Sequence, residues 1–278
     1  MQIPELVEYC DSKYARGDNR CENCTNEECQ GSCAKCFNSI HKVWNNRDYD
    51  CPNLINHYVC EYLYAYSSEI WHLFNNDADL KNLDKYRVLS IGVGPASELF
   101  GIDKIANGKP INFVGYDLNE LWVDVHSKVL DIASRSPNCS VELNIADVFE
   151  EFNSDNFKPN IIVMSYLISH LSKAGCDVDV FMTNLKEKIL DKLDRPYYIV
   201  INDINLNTAR DKFSIIYKKL SPIEDEGVST RSFYFDGYRY GVKHNSTALI
   251  EPIPARIVEK YQTWQHCKKT AQLLIKVK

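Results

Sequence analysis

The sequence predicts an α/β protein in which a mostly parallel, seven-stranded sheet carries helices on both faces. A small cysteine-rich helical region precedes it. Three observations predict this. From residue 86 onward, short apolar runs rich in Val and Ile alternate with longer amphipathic stretches, the pattern of repeated strand–helix–strand units. Five of the eleven cysteines fall within residues 21–36, apart from that alternation. A hydrophobic content of 45% with 25% charged residues suits a globular chain of 278 residues with a substantial core. Residues 1–80 are expected to form the N-terminal metal-binding and helical module, and 81–278 the α/β domain.

In order along the chain, "CPNLINHYVCEYLYAYSSEIWHLFNN" reads as a long helix. Ile55, Val59, Tyr62, Tyr66, Ile70 and Leu73 recur every three or four positions, and Pro52 stands where a first-turn proline is tolerated. Its aromatic stripe, Tyr58, Tyr62, Tyr66 and Trp71, reads as core packing. "RVLSIGV" is a strand, "ASELFGIDKIA" a helix, "INFVGYDL" a strand and "NELWVDVHSKVLDIASRS" a helix. "SVELNIAD" and "NIIVMSYL" are strands, followed by the helix "DVFMTNLKEKILDKL" and the strand "YYIVIND". "ARDKFSIIYKKL" is helical. "RSFYFDGYRYGV" and "AQLLIKVK" close the chain as two strands expected to form an antiparallel edge.

Charge and cysteine usage narrow the function classes. The net charge of −6 is uneven: residues 1–80 carry 6 Lys/Arg against 13 Asp/Glu, and residues 186–278 carry 17 against 11. That is not the strong basic excess of a general nucleic-acid binder, though it leaves room for one local basic face. No apolar run approaches the roughly 20 residues that span a bilayer. The N-terminal stretch lacks the basic-then-apolar layout of a secretory signal, so a cytoplasmic protein without membrane contact is expected. In a reducing compartment the cluster "CENCTNEECQGSCAKC" indicates metal rather than disulfides. The pairs Cys21/Cys24 and Cys33/Cys36 can each grip a tetrahedral ion, and four thiolates complete a structural zinc site. Cys29 can replace one of them. His41 and Cys51 follow closely, leaving a binuclear or iron–sulfur arrangement as further options.

The loop "GVGPAS" leaves the first strand where an open α/β sheet binds ligands. Gly92 and Gly94 allow a tight turn and close approach of backbone to ligand, with Ala96 as the third small residue. Asp117, 23 residues after Gly94, ends the next strand and can accept from both hydroxyls of a ribose. Asp147 ends the third strand a further 30 residues on, placed for an adenine amino group.

With these three features the sequence resembles the class I S-adenosylmethionine-dependent methyltransferases. "VLSIGVGPASE" is similar to their first motif, "VGYDLNE" to the acidic second-strand motif and "NIADVFE" to the third. The resemblance covers roughly residues 83 to 205. It implies a Rossmann-like fold, S-adenosylmethionine as cofactor, and Ser90, Gly92, Gly94, Pro95, Glu98, Asp117, Leu118, Asp147, Val148 and Ser165 around it. "IIVMSYLISHL" lies where the family's fourth strand presents catalytic residues, which implies Tyr166 and His170 beside the transferred methyl, with Asp203 of "VINDIN" facing the same cleft. One position departs: many members carry an acidic residue where this chain has Ser90, and Glu98 is the replacement expected to meet the methionine ammonium.

A nicotinamide dehydrogenase would also want a glycine loop, but Pro95 removes a backbone N–H that a pyrophosphate would use. No Asn/Asp-Pro-Pro-aromatic run follows the fourth strand, as in enzymes that methylate exocyclic base amines. No cysteine directly follows it, as a cytosine C5 mechanism needs; Cys176 comes too late. For the acceptor, RNA is slightly favoured over protein or a small molecule. "RSFYFDGYRYGVKH" interleaves Arg231, Arg239 and Lys243 with Phe233, Tyr234, Phe235, Tyr238 and Tyr240, a combination that stacks bases, although a hairpin with alternating faces gives the same pattern. The alternative to an enzyme is a scaffold or assembly protein that binds the cofactor without turnover, which Ser90 favours.

Overall fold

Strand and helix alternate as the sequence pattern requires in a computed structural model that describes residues 1–14, 29, 33–40, 49–220, 228–234, 242–243, 248–267 and 270–277. The elements in chain order are α1 (Ile3–Lys13), α2 (Cys33–Ile40), α3 (Pro52–Asn76), α4 (Ala78–Lys81), β1 (Tyr86–Ile91), α5 (Ser97–Ala106) and β2 (Ile111–Asp117). Next come α6 (Val123–Ser134), β3 (Cys139–Ile145), α7 (Val148–Glu151), β4 (Ile161–Ser165), α8 (Leu167–Lys173) and α9 (Val178–Lys188). The chain continues with β5 (Tyr197–Ile204), α10 (Phe213–Leu220), β6 (Val228–Tyr234), β7 (Val242–Lys243), α11 (Ala255–Tyr261) and β8 (Thr270–Val277).

Among the described residues the sheet has eight strands in the order β3-β2-β1-β4-β5-β8-β6-β7. β1 pairs in parallel with β2 on one side and with β4 on the other. The chain therefore winds outward to β3 and returns to start again at β4. Between β1 and β4 the order reverses, and that is where an open sheet of this kind leaves a crevice beyond its strand ends. Two expectations change. "RSFYFDGYRYGV" contributes two strands, β6 and the short β7, so the sheet has eight strands and not seven: β6 leaves its partner at the pair Tyr234 and Ala271, where β8 itself begins. "AQLLIKVK" pairs antiparallel with β6 on that side of the sheet as expected, but β8 itself lies inside, between β5 and β6. All eight residues of β8 are buried, and a strand that apolar needs neighbours on both sides and cover on both faces.

Helices cover both faces. One face packs Ile3, Leu6 and Val7 of α1, Ile55, Val59 and Leu73 of α3, Leu99 and Phe100 of α5 and Val129 of α6 into one cluster with Val88, Phe113 and Ile161. The other gathers Ile168 of α8, Met182 and Leu185 of α9 and Ile216 of α10 against Leu89, Ile162, Ile199 and Leu273. The predicted face of α3 is buried at all six positions. Close approach of α3 to α5 requires Gly101, where a Cβ would stand 2.5 Å from the carbonyl oxygen of Ser67.

Candidate functional site

The crevice beyond β1, β2 and β4 is built by backbone first. Gly92 (φ 66°), Gly94 (φ 47°) and Ala96 (φ 56°) all take the left-handed conformation, so the chain reverses within five residues and enters α5. A Cβ on Gly92 would lie 2.9 Å from Cδ1 of Leu167, so glycine also allows α8 to come close. The loop is tied to β2: Gly92 and Val93 donate backbone N–H bonds to the carbonyl of Tyr116, and Gly94 N–H donates to Oδ2 of Asp117 at 2.9 Å. Oδ1 of Asp117 accepts from the N–H of Asn119 at 2.9 Å. Burial raises the Asp117 carboxyl above its ordinary value, against the two backbone donors. From below, Nε2 of His126 lies 2.8 Å from the Gly94 carbonyl; a carbonyl only accepts, so this nitrogen carries the hydrogen.

Ser90 and Glu98 meet. Ser90 is fully buried on β1 and its hydroxyl donates to Oε1 of Glu98, whose Oε2 accepts from Ser97 at 3.1 Å. Burial pushes the Glu98 carboxyl up to about 7, with the Ser90 bond opposing. The acidic group absent from position 90 is thus present in the first turn of α5, in contact with that position. Pro95 sits between the two left-handed residues Gly94 and Ala96. Leu118 lies exposed at the lip of β2. Asp147 is also exposed, its Oδ1 capping α7 through the N–H of Phe149 at 2.9 Å, while Val148 is buried behind it.

At the end of β4, Ser165 has a buried hydroxyl with no partner among the described residues. Tyr166 follows with φ 56° and ψ 20°, a left-handed conformation that costs an aromatic residue on the order of 1–3 kcal/mol. Its N–H donates to the carbonyl of Asn202 at 2.7 Å, and its ring stacks on Tyr66 at 3.8 Å between centroids. Its hydroxyl lies 3.0 Å from Oε2 of Glu69 and 2.9 Å from Oγ1 of Thr270. His170 is half-buried on α8, its ring 6.4 Å from that of Tyr49. Asp203, fully buried at the end of β5, accepts from the N–H of Ser169 at 3.0 Å and of Ile204 at 2.7 Å. Its carboxyl is pushed up to about 6 by burial.

The N-terminal elements meet these strand ends. Asn119 donates to the carbonyl of Tyr49 at 2.8 Å, Lys173 of α8 to that of Ile40 at the end of α2, and Tyr58 of α3 lies edge-on to Trp122 at 5.7 Å. The aromatic stripe of α3 splits: Tyr58, Tyr62 and Tyr66 form a continuous run with Tyr166, Trp122 and Trp264, while Trp71 packs on His72. Glu69 stands on the same helix, three residues from Tyr66, with no exposed surface. The sequence reading missed it. Composition does not mark it out, since α3 also carries Glu61; the usable signal was that Glu69 and not Glu61 continues the helical spacing of Tyr62 and Tyr66.

Of the cysteine cluster, Cys21 and Cys24 lie outside the described residues, as does His41, and only the backbone of Cys33 is described. Cys36 is buried with Phe37, Ile40, Cys51 and Tyr62, and Cys29 packs against that group. Among the described residues no three His, Cys, Asp or Glu side chains are grouped to hold a metal ion. Arg231, Phe233, Tyr234 and Lys243 belong to β6 and β7, whose backbone alone is described; Phe235, Tyr238, Arg239 and Tyr240 lie outside the described residues. No described helix is long and apolar enough to cross a membrane.

No protein-family model matches the chain, and no curated protein matches it. Among solved structures it is similar to a SAM-dependent methyltransferase from Aquifex aeolicus, at 13% identity over 82% of this chain and 98% of that one, with a TM-score of 0.49. It is also similar to the plantazolicin methyltransferase BpumL, at 13% identity over 87% and 96%, with a TM-score of 0.46. The mitomycin 7-O-methyltransferase MmcR aligns at 11% identity over 76% of this chain, with a TM-score of 0.45, and the chain spans about half of that protein, 54%. Likeness at this level bears on the fold alone.

Proposed function

We propose that this chain is an S-adenosylmethionine-dependent methyltransferase whose cofactor lies in the crevice between β1 and β4. The observation that carries the reading is the bond from Gly94 N–H to the Asp117 carboxylate, which brings a left-handed glycine loop and a strand-end acid together where the strand order reverses. The residues fit that group. Asp117 uses one oxygen for each of two backbone donors, and a carboxylate has about four lone-pair sites, so acceptor capacity remains for two ribose hydroxyls. Glu98, beside Ser90, supplies an acid for the amino-acid end, which removes the ground on which Ser90 favoured a scaffold. Bound there, the cofactor supplies an electrophilic methyl group, and transfer is an in-line displacement that depends largely on positioning and exclusion of water. Tyr166 and His170 stand on the acceptor side. Asp203 anchors the first turn of α8 and so orients both.

The acceptor side rests on less: the interleaved aromatic and basic residues 231–243 favour RNA ahead of protein or a small molecule. The paired cysteines support one structural zinc, held by Cys21, Cys24, Cys33 and Cys36 with Cys29 in reserve, and Cys33 and Cys36 lie one turn apart on α2. Calorimetric titration with S-adenosylmethionine and S-adenosylhomocysteine, with NAD as control, tests the cofactor. Binding of the first two and not the third is expected; no binding of either removes the reading. Zinc analysis of the same preparation is expected to give stoichiometric metal.

A further inference from the structure

Tyr166 is the strand-end residue held from outside the sheet, and Glu69 does the holding. One buried carboxyl on α3 reaches the ends of three adjacent strands: Tyr166 just after β4, Asn202 on β5, whose Nδ2 donates at 2.9 Å, and Thr270 on β8, whose hydroxyl also donates. Gln272 donates to the Glu69 backbone carbonyl at 2.9 Å and to Oδ1 of Asn202 at 2.7 Å, and its own fully buried Oε1 has no donor among the described residues. Among the described residues every donor to the Glu69 carboxyl is neutral. Acceptors therefore outnumber donors in this cluster, which favours residence of one extra proton.

Among the described residues, the groups around Glu69 supply no cation to its carboxyl. Tyr66 lies on its own helix, and His72, one turn on, is turned to the carbonyl of Ala248. Tyr166 faces it from β4, and Asp203 from β5 raises its carboxyl further. Cys267 lies before β8, its thiol raised by burial and by Glu69. Glu98 stands on α5, bonded to Ser90 and Ser97. Lys276, at the far end of β8, is paired with Asp77 and Asp79, and Lys260 and Tyr261 of α11 with Asp11. Burial brings the Glu69 carboxyl to about 7, so the extra proton is gained and lost near neutral pH.

We propose that Glu69 is a positioning residue of the transfer site that acts through Tyr166. Its ionised carboxylate accepts the phenol hydrogen and fixes the left-handed turn at which β4 ends; a proton on the carboxyl turns one oxygen from acceptor to donor and releases the phenol. The proposal rests on the cofactor reading only in taking that strand end as the ligand site.

The test is carried out on the full-length protein carrying ¹³Cζ-tyrosine, with the Tyr166 signal assigned by its loss in Tyr166→Phe. The Tyr166 signal is expected to move with a midpoint near neutral pH, far below phenol ionisation, and to stay flat in Glu69→Gln. Glu69→Asp, which keeps the carboxyl should the amide fail to fold, is expected to move the midpoint without abolishing it. S-adenosylhomocysteine affinity in the unsubstituted protein is expected to change by about fivefold between pH 6 and 8, the lower end of typical coupling between sites, and to be level in Glu69→Gln. A Tyr166 signal that is flat in the unsubstituted protein, or still titrates in Glu69→Gln, overturns the proposal; in the latter case loss of the titration in Asp203→Asn reassigns it. Titration of Tyr166 as expected without any S-adenosylhomocysteine binding sinks the cofactor reading and leaves the Glu69–Tyr166 coupling standing.

Discussion

Position 90 shows how a carboxyl can stand beside a place on a strand whose own residue has none. The resemblance puts an acid at this place on β1, and the chain has a serine there. The fully buried Ser90 is bonded to the carboxyl of Glu98, in the first turn of the following helix. Asp117 is the residue on which the cofactor reading depends most. Each hydrogen bond to a charged acceptor is worth roughly 1.5–3 kcal/mol, where about 1.4 kcal/mol is tenfold in affinity, and water takes the place of part of what the two ribose hydroxyls lose. Asp117→Ala is therefore expected to weaken S-adenosylhomocysteine binding by about 10- to 100-fold in calorimetry. Unchanged affinity would take Asp117 out of the site.

At the scale of elements, the contact of α3 with α5 decides how the N-terminal region meets the sheet. α5 follows the glycine loop and α3 carries Tyr66 and Glu69, so this contact sets the aromatic run over the strand ends. Gly101 permits it: an added Cβ would stand 3.1 Å from Cβ of Ile70 and the same distance from the backbone N of Trp71, besides the carbonyl of Ser67. Within a helix, alanine is favoured over glycine by about 1 kcal/mol, yet overpacking of this kind costs roughly 1–3 kcal/mol. Gly101→Ala is expected to lower the thermal midpoint, by roughly 2–4 °C for each kcal/mol lost. A rise would mean that the two helices part without cost.

For the molecule as a whole, the buried carboxyls Glu69, Glu98 and Asp203 make stability depend on pH. Burial raises Glu69 and Glu98 to about 7 and Asp203 to about 6, all above their unfolded values. The folded state then holds protons that the unfolded state has released. The contribution is complete below about pH 4 and is lost as pH rises through 6 to 7, on the order of 3 kcal/mol for a carboxyl raised to about 7. Thermal unfolding is expected to show a falling midpoint from pH 5 to pH 8, with a shallower fall in Glu98→Gln. A midpoint that stays level over this range would show these groups ionised throughout.

The sequence by itself determined the alternation of strands and helices, the buried face of α3, the glycine loop and the acid at the end of β2. Each of these is written in local periodicity or in short spacings, and local chemistry enforces them. The tertiary structure decided what depends on contacts between distant segments. Nothing local distinguishes an apolar edge strand from one inserted in the sheet, so the place of β8 between β5 and β6 followed only from pairing. The same holds for the bond between Ser90 and Glu98, which needs a strand to turn back along its own helix. It holds most of all for Glu69, 97 residues before Tyr166 in the chain, which meets it because packing α3 on the sheet buries Glu69 beside that strand end.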